Sequence, residues 1–138
     1  MKEFVFEERT KQQISSWFNG KKRQGRMGFL TLVSFQNWYN SQAKKCHYCG
    51  IDEKIVQEIV MCGKLTSARF PKKGLKARGR NRGKWLEVDR KKPKGNYTAS
   101  NCVLACYFCN NDKSDVFNEN QYIQFLENRA RFLRKLLA

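Results

Sequence analysis

Apolar residues recur at near-helical spacing through the first third of the chain. In EERTKQQISSWFNG, residues 7–20, Ile14, Trp17 and Phe18 share one face and Gly20 reads as a stop. In TLVSFQNWYNSQAKK, residues 31–45, Val33, Phe35, Trp38 and Tyr39 repeat in the same way, with Thr31 placed to cap the helix. These aromatics read as core, and residues 1–45 as a helical N-terminal region. The period then changes. KWLEVDR, residues 84–90, alternates as a strand, with Trp85, Glu87 and Asp89 on one face and Leu86 and Val88 on the other. KKPKGNYT is a turn, NCVLAC a second strand, and a helix begins at the cysteine pair that follows. Residues 118–138 form an amphipathic tail helix with Tyr122, Ile123, Leu126, Leu133 and Leu137 on one side.

The stretch RFPKKGLKARGRNRGK, residues 69–84, breaks every pattern. It holds eight Lys/Arg, three Gly and no acid, so it builds no core and reads as a basic loop. Eight like charges in sixteen residues repel one another unless a polyanion neutralises them. The whole chain leans the same way: 28 Lys+Arg against 12 Asp+Glu give a net charge of +16 over 138 residues. That length fits one domain, and that charge points to nucleic acid rather than a neutral small molecule. The phosphate-contacting candidates are Lys21, Lys22, Arg23 and Arg26 in KKRQGR, then Lys72, Lys73, Lys76, Arg78, Arg80, Arg82 and Lys84 in the loop, then Lys91, Lys92 and Lys113. No stretch has the signature of a signal peptide or a membrane span, so a cytoplasmic location in a bacterium or phage is expected, with no membrane partner and no organic cofactor.

In that reducing setting six cysteines read as ligands or free thiols. Two CxxC pairs, Cys46–Cys49 and Cys106–Cys109, are separated by 56 residues. Two residues between cysteines let both thiolates grip one tetrahedral Zn2+, so the four predict one structural zinc per chain, with no open position for water. Gly50 suits the knuckle turn. Cys102 reads as strand core and Cys62 as a small apolar filler.

The stretch EVDR…P…G.YT..NCVLAC..CN..KSD, with the first CxxC upstream, resembles the ββα-metal motif of the HNH endonucleases. The match runs from Cys46 to about Phe117. The flank FQNWYNSQAKKCHYCG resembles that of a small restriction enzyme in this family, whose motif also carries Asp-Arg. The resemblance implies an α+β fold: a zinc-stabilised ββα-metal, treble-clef-like core over residues 46–117 between flanking helices. It also implies a metal-dependent endonuclease that hydrolyses double-stranded DNA, sequence-specific in the manner of a restriction enzyme. Asp89 and Asn110 would be the oxygen ligands of a catalytic Mg2+ or similar ion. Asn101 would pin the turn, and Glu87 would form a salt bridge or cap. Lys113 would hold a phosphate. The family's usual general base is a His where this chain has Arg90. Arginine cannot take a proton, so Arg90 would clamp the scissile phosphate. The proton would pass to His47, to Tyr48 with a pKa lowered by nearby cations, or to phosphate or water. A homodimer is expected, because one such site cuts one strand. Its seam would lie at the N-terminal aromatic helices or around Leu133 and Leu137. Two other readings stay open: a non-catalytic zinc knuckle that binds DNA or RNA, and a nicking or homing endonuclease of a phage or mobile element.

Overall fold

The computed structural model describes residues 3–71 and 82–135, with only the backbone at 129, 130 and 132–135. Lys72, Lys73, Lys76, Arg78, Arg80 and Leu137, and the side chain of Leu133, lie outside the described residues. Among these described residues seven elements follow in order: α1 (Lys11–Arg23), α2 (Leu32–Ser41), α3 (Glu53–Met61), β1 (Glu87–Arg90), β2 (Cys102–Ala105), α4 (Tyr107–Lys113) and α5 (Glu119–Lys135). The class is α+β, a two-stranded antiparallel hairpin among helices.

Two capping boxes start the N-terminal helices. Thr10 accepts from the Gln13 N–H and Thr31 from the Ser34 N–H, and each partner side chain returns the bond to the cap N–H. Helix α1 runs through Gly20 to Arg23, past the expected stop. Gly20 meets nothing where a side chain would project, and the chain leaves the helix instead at Gly25, whose φ is +72°. Lys21, Lys22 and Arg23 occupy the last turn, where cations favour the helix dipole.

Ile14, Phe18, Phe35 and Tyr39 are buried as the pattern predicts, whereas Val33 is exposed. Phe35 is stacked against Trp17 at 4.9 Å and against Trp38 at 5.9 Å between ring centroids. The N-terminal aromatics therefore pack largely inward, with Trp17 and Trp38 only partly buried. This cluster docks on the hairpin turn through Gly28, whose N–H donates to the Tyr97 carbonyl at 2.8 Å.

Helix α3 has no counterpart in the sequence reading. Val56 and Val60, four apart, turn into the core, and Cys62 closes the helix with its thiol on the Ile59 carbonyl. Cys62 is exposed rather than an apolar filler.

Strand β1 is shorter than the alternation suggested. The Leu86 N–H goes to the Glu53 carboxylate rather than to the ladder, and the strand begins at Glu87. The strands pair Glu87 with Ala105, Val88 with Leu104, Asp89 with Val103 and Arg90 with Cys102. Every residue of β2 is buried. Tyr122 anchors α5 with no exposure at all, while Ile123, expected on the inner side, sits at the rim.

Candidate metal centre and active site

Four sulfurs meet where the first knuckle, β2 and α4 converge. The Sγ atoms of Cys46, Cys49, Cys106 and Cys109 all lie within 4.8 Å of one another, and Cys49 and Cys106 are 3.8 Å apart. Tetrahedral ligation at a zinc–sulfur distance of ~2.3 Å places sulfurs about 3.8 Å apart, so the set fits one metal ion. Backbone amides shape both halves. In the first knuckle the Gly50 N–H reaches the Cys46 carbonyl at 2.9 Å, and Gly50 has φ +77°. In the second, the Cys106 sulfur accepts from the Cys109 N–H at the start of α4. The His47 N–H donates to the Leu104 carbonyl at 2.8 Å, which clamps the first knuckle to β2. Cys102 stands apart as a buried strand thiol, its pKa pushed up to about 12 by burial.

Next to this cluster, Asp89 on β1 and Asn110 on α4 line one cleft of about 280 Å³ together with Arg69, Arg82, Arg90 and Tyr97. Asn110 follows Cys109 directly, so the sulfur cluster sets its position. The Asn110 amide N–H donates to Glu87 at 3.0 Å. A carboxylate only accepts, so the amide oxygen is the end left for another partner. Glu87 in turn forms a two-pronged ion pair with Arg82, at 2.7 and 3.1 Å.

Asp89 is buried, and each of its oxygens has a donor. The Tyr48 hydroxyl gives a 2.6 Å hydrogen bond and the Lys113 ammonium approaches to 3.3 Å. Burial pushes the Asp89 carboxyl above its ordinary range, against the pull of these two donors. Lys113 has no exposed surface and also donates to the Arg90 carbonyl at 2.8 Å. It therefore cannot hold a phosphate as the sequence suggested. Desolvating an ammonium is tolerable only because these acceptors are fixed around it.

Tyr48 also departs from expectation. Burial, then the bond to Asp89, raise its hydroxyl pKa well above the ordinary range rather than lowering it. His47 is exposed, with Nε2 2.6 Å from a carboxylate oxygen of Glu119, a residue the sequence reading passed over. Its ring lies 5.1 Å from that of Tyr48, edge to face. Arg90 spans Tyr97 at 4.8 Å and donates to the Gly95 carbonyl at 3.1 Å.

Asn101 spans the turn as expected: its amide donates to the Lys92 and Asn96 carbonyls and accepts from the Lys92 N–H. Gly95 is required there, since a side chain would meet the Asn101 amide at 2.7 Å.

Of the described basic candidates, Lys22, Arg23, Arg26 and Lys92 are exposed, and Lys21 and Lys91 half-buried. Arg82 and Lys84 are instead paired inside the chain, with Glu87 and Glu7. Arg69, which the candidate set omitted, lines the cleft and donates to Asn111 at 2.7 Å. Among the described residues no helix is long and apolar enough to cross a membrane.

No family model matches the chain, and no curated protein does. Among solved structures it is similar to PacI, described as a rare-cutting HNH restriction endonuclease that exhibits an extraordinary mechanism of DNA perturbation. The two share 24% identity over 88% of this chain and 77% of that one, with a TM-score of 0.62. The chain thus has the fold of an HNH endonuclease, as its motif implied.

Proposed function

We propose that the chain is a metal-dependent endonuclease that hydrolyses DNA phosphodiester bonds, in the manner of a small sequence-specific restriction enzyme. What supports this reading most is the meeting of Asp89 and Asn110 in one basic cleft beside the sulfur cluster. We assign the cluster a structural Zn2+. One carboxylate and one amide oxygen in an open cleft fit a hard divalent ion such as Mg2+, which keeps most of its waters. When bound, such an ion offsets charge on the phosphoryl group and on the leaving 3′ oxygen.

The remaining work belongs to the chain. Tyr48 and Lys113 fix the Asp89 carboxylate, and Glu87 orients the Asn110 amide. Arg90 uses part of its guanidinium on Gly95 and keeps further N–H groups for a phosphate oxygen. It cannot accept a proton. Tyr48, whose hydroxyl is committed to Asp89, is a donor in this arrangement. The proton of the attacking water then goes to a phosphate oxygen, to water, or to His47, which lies outside the cleft lining with Nε2 on Glu119.

The test is incubation of the purified protein with plasmid and phage DNA in Mg2+, followed by sequencing of the ends. Recurrent ends at one sequence, absent with Asp89→Asn, are expected. Intact DNA from every substrate, with tight binding retained, would leave a nucleic-acid-binding zinc module instead.

A further inference from the structure

A second hollow opens beside the cleft. It has a volume of about 520 Å³ and shares Arg82, Val88, Tyr97 and Asn110 with the cleft as common wall. The rest of its lining is unlike that of the cleft. Trp17 and Trp85 border it, together with Arg9 and Lys21.

The rings are held firmly. Trp17 is backed by Phe35 at 4.9 Å and meets Tyr97 edge-on at 5.1 Å. Trp85 is tethered by its indole N–H to the Glu7 carbonyl at 2.7 Å. The Lys21 ammonium lies 5.5 Å from the Tyr97 ring centre and 5.9 Å from that of Trp17. Among the described residues of the lining Glu87 is the single acid, and Arg82 already engages it in a two-pronged ion pair. The Nε of Arg9 is buried without a hydrogen-bond partner. The hollow therefore combines fixed ring surface with excess positive charge, beside the position proposed for the scissile phosphate.

We propose that this hollow takes one unstacked nucleobase with its phosphate, using Trp17, Trp85 and Tyr97 as ring surface and Arg9 and Lys21 as countercharge. Ring stacking is tolerant of sequence because every base has a π-face. The volume lies in the range of small-ligand pockets, and a double helix is too wide to enter it. Burial, with Arg90, Arg26 and Arg82 nearby, lowers the Lys21 pKa, a strain that a bound phosphate would relieve. The consequence is that the enzyme holds its DNA with one base out of the stack next to the cut.

This inference rests on the nuclease reading, and the test separates the two. The zinc-loaded full chain is titrated with a four-nucleotide oligothymidylate and with a strand of equal length and charge that carries no bases. The oligothymidylate should quench tryptophan emission and bind about tenfold tighter than the abasic strand, as one good stack implies. Trp85→Ala should close that gap without changing the affinity for the abasic strand, and Trp85→Phe should restore part of it. Lys21→Gln should weaken both probes alike. Zinc content and far-ultraviolet circular dichroism check that each variant folds. Equal binding of the two probes by the unaltered chain overturns the proposal, whatever the variants do. So does a gap that survives Trp85→Ala. A protein that cuts duplex DNA but treats the probes alike remains a nuclease without this pocket. One that separates the probes but cuts no DNA keeps the pocket and loses the nuclease.

Discussion

At the scale of single residues, the pairing of Asp89 with Lys113 changes what a simple substitution reports. Asp89→Ala removes the charge proposed for ion binding and also leaves a fully buried ammonium without a countercharge, held by the Arg90 carbonyl alone. Leaving one partner of a buried pair costs about 3–5 kcal/mol. Asp89→Ala should therefore lower the unfolding midpoint markedly in a thermal melt, and its loss of cleavage alone would be ambiguous. Asp89→Asn keeps an oxygen for Lys113 and should lose cleavage with a smaller drop in stability. If Asp89→Ala melted like the unaltered chain, the ammonium would not be buried as described. Lys113→Met should cost less than Asp89→Ala: the acid it leaves behind keeps the Tyr48 hydroxyl at 2.6 Å and its burial already favours the neutral form, whereas the ammonium left by Asp89→Ala keeps only the neutral Arg90 carbonyl. Melts of the two variants side by side give the order.

Between elements, two joints carry the architecture. The sulfur cluster ties the first knuckle to β2 and α4, and its ligation contributes directly to folding. Metal analysis should find one zinc per chain, and a chelator should unfold the core along with α4. Two zincs would mean that Cys62 or Cys102 had been misassigned. The second joint is Gly28 against the hairpin turn. A side chain there would collide with the Thr98 methyl and come within 2.8 Å of the Tyr97 carbonyl oxygen. Gly28→Ala should therefore pry α1 and α2 off the turn that carries Tyr97, at roughly 1–3 kcal/mol by analogy with overpacking. Chemical denaturation measures the difference, and an unchanged midpoint would show that the joint gives way freely.

On the proposed reading, the net charge of +16 governs how tightly the molecule as a whole holds DNA. Lys22 and Arg23 in the last turn of α1 and Arg26 just beyond it are exposed. If all three meet phosphates, replacing them together by Gln should reduce the slope of log affinity against log salt by about 2.7, near 0.9 per contact. An unchanged slope would exclude this end of α1 from the interface. We propose a homodimer on DNA, since one Asp89–Asn110 site would address one strand. The aromatic N-terminal helices are largely spent on the core, so they leave little for a seam. Sedimentation with a cognate duplex decides the matter: two chains per duplex and linear product support the dimer, one chain and nicked circles reject it.

The knuckles and the turn of this protein were written locally. Four cysteines at CxxC spacing and Asn101 across a tight turn could be read from the chain, because ligation and turn bonding demand particular residue types at short, fixed separations. The helices with caps and aromatic stripes, α1 and α2, were legible for the same reason. Short α3 was not, since two valines four apart are a weak signal between a knuckle and a basic loop. What only tertiary structure decided is who partners whom. Tyr48 and Asp89 are 41 residues apart, Asp89 and Lys113 24, and His47 and Glu119 72. Nothing in local spacing says that Lys113 turns inward to an acid rather than outward to a phosphate, or that Tyr48 gives its proton to a hydrogen bond rather than losing it. Those choices follow from which groups the fold removes from water together, where a buried charge or hydroxyl must find its complement.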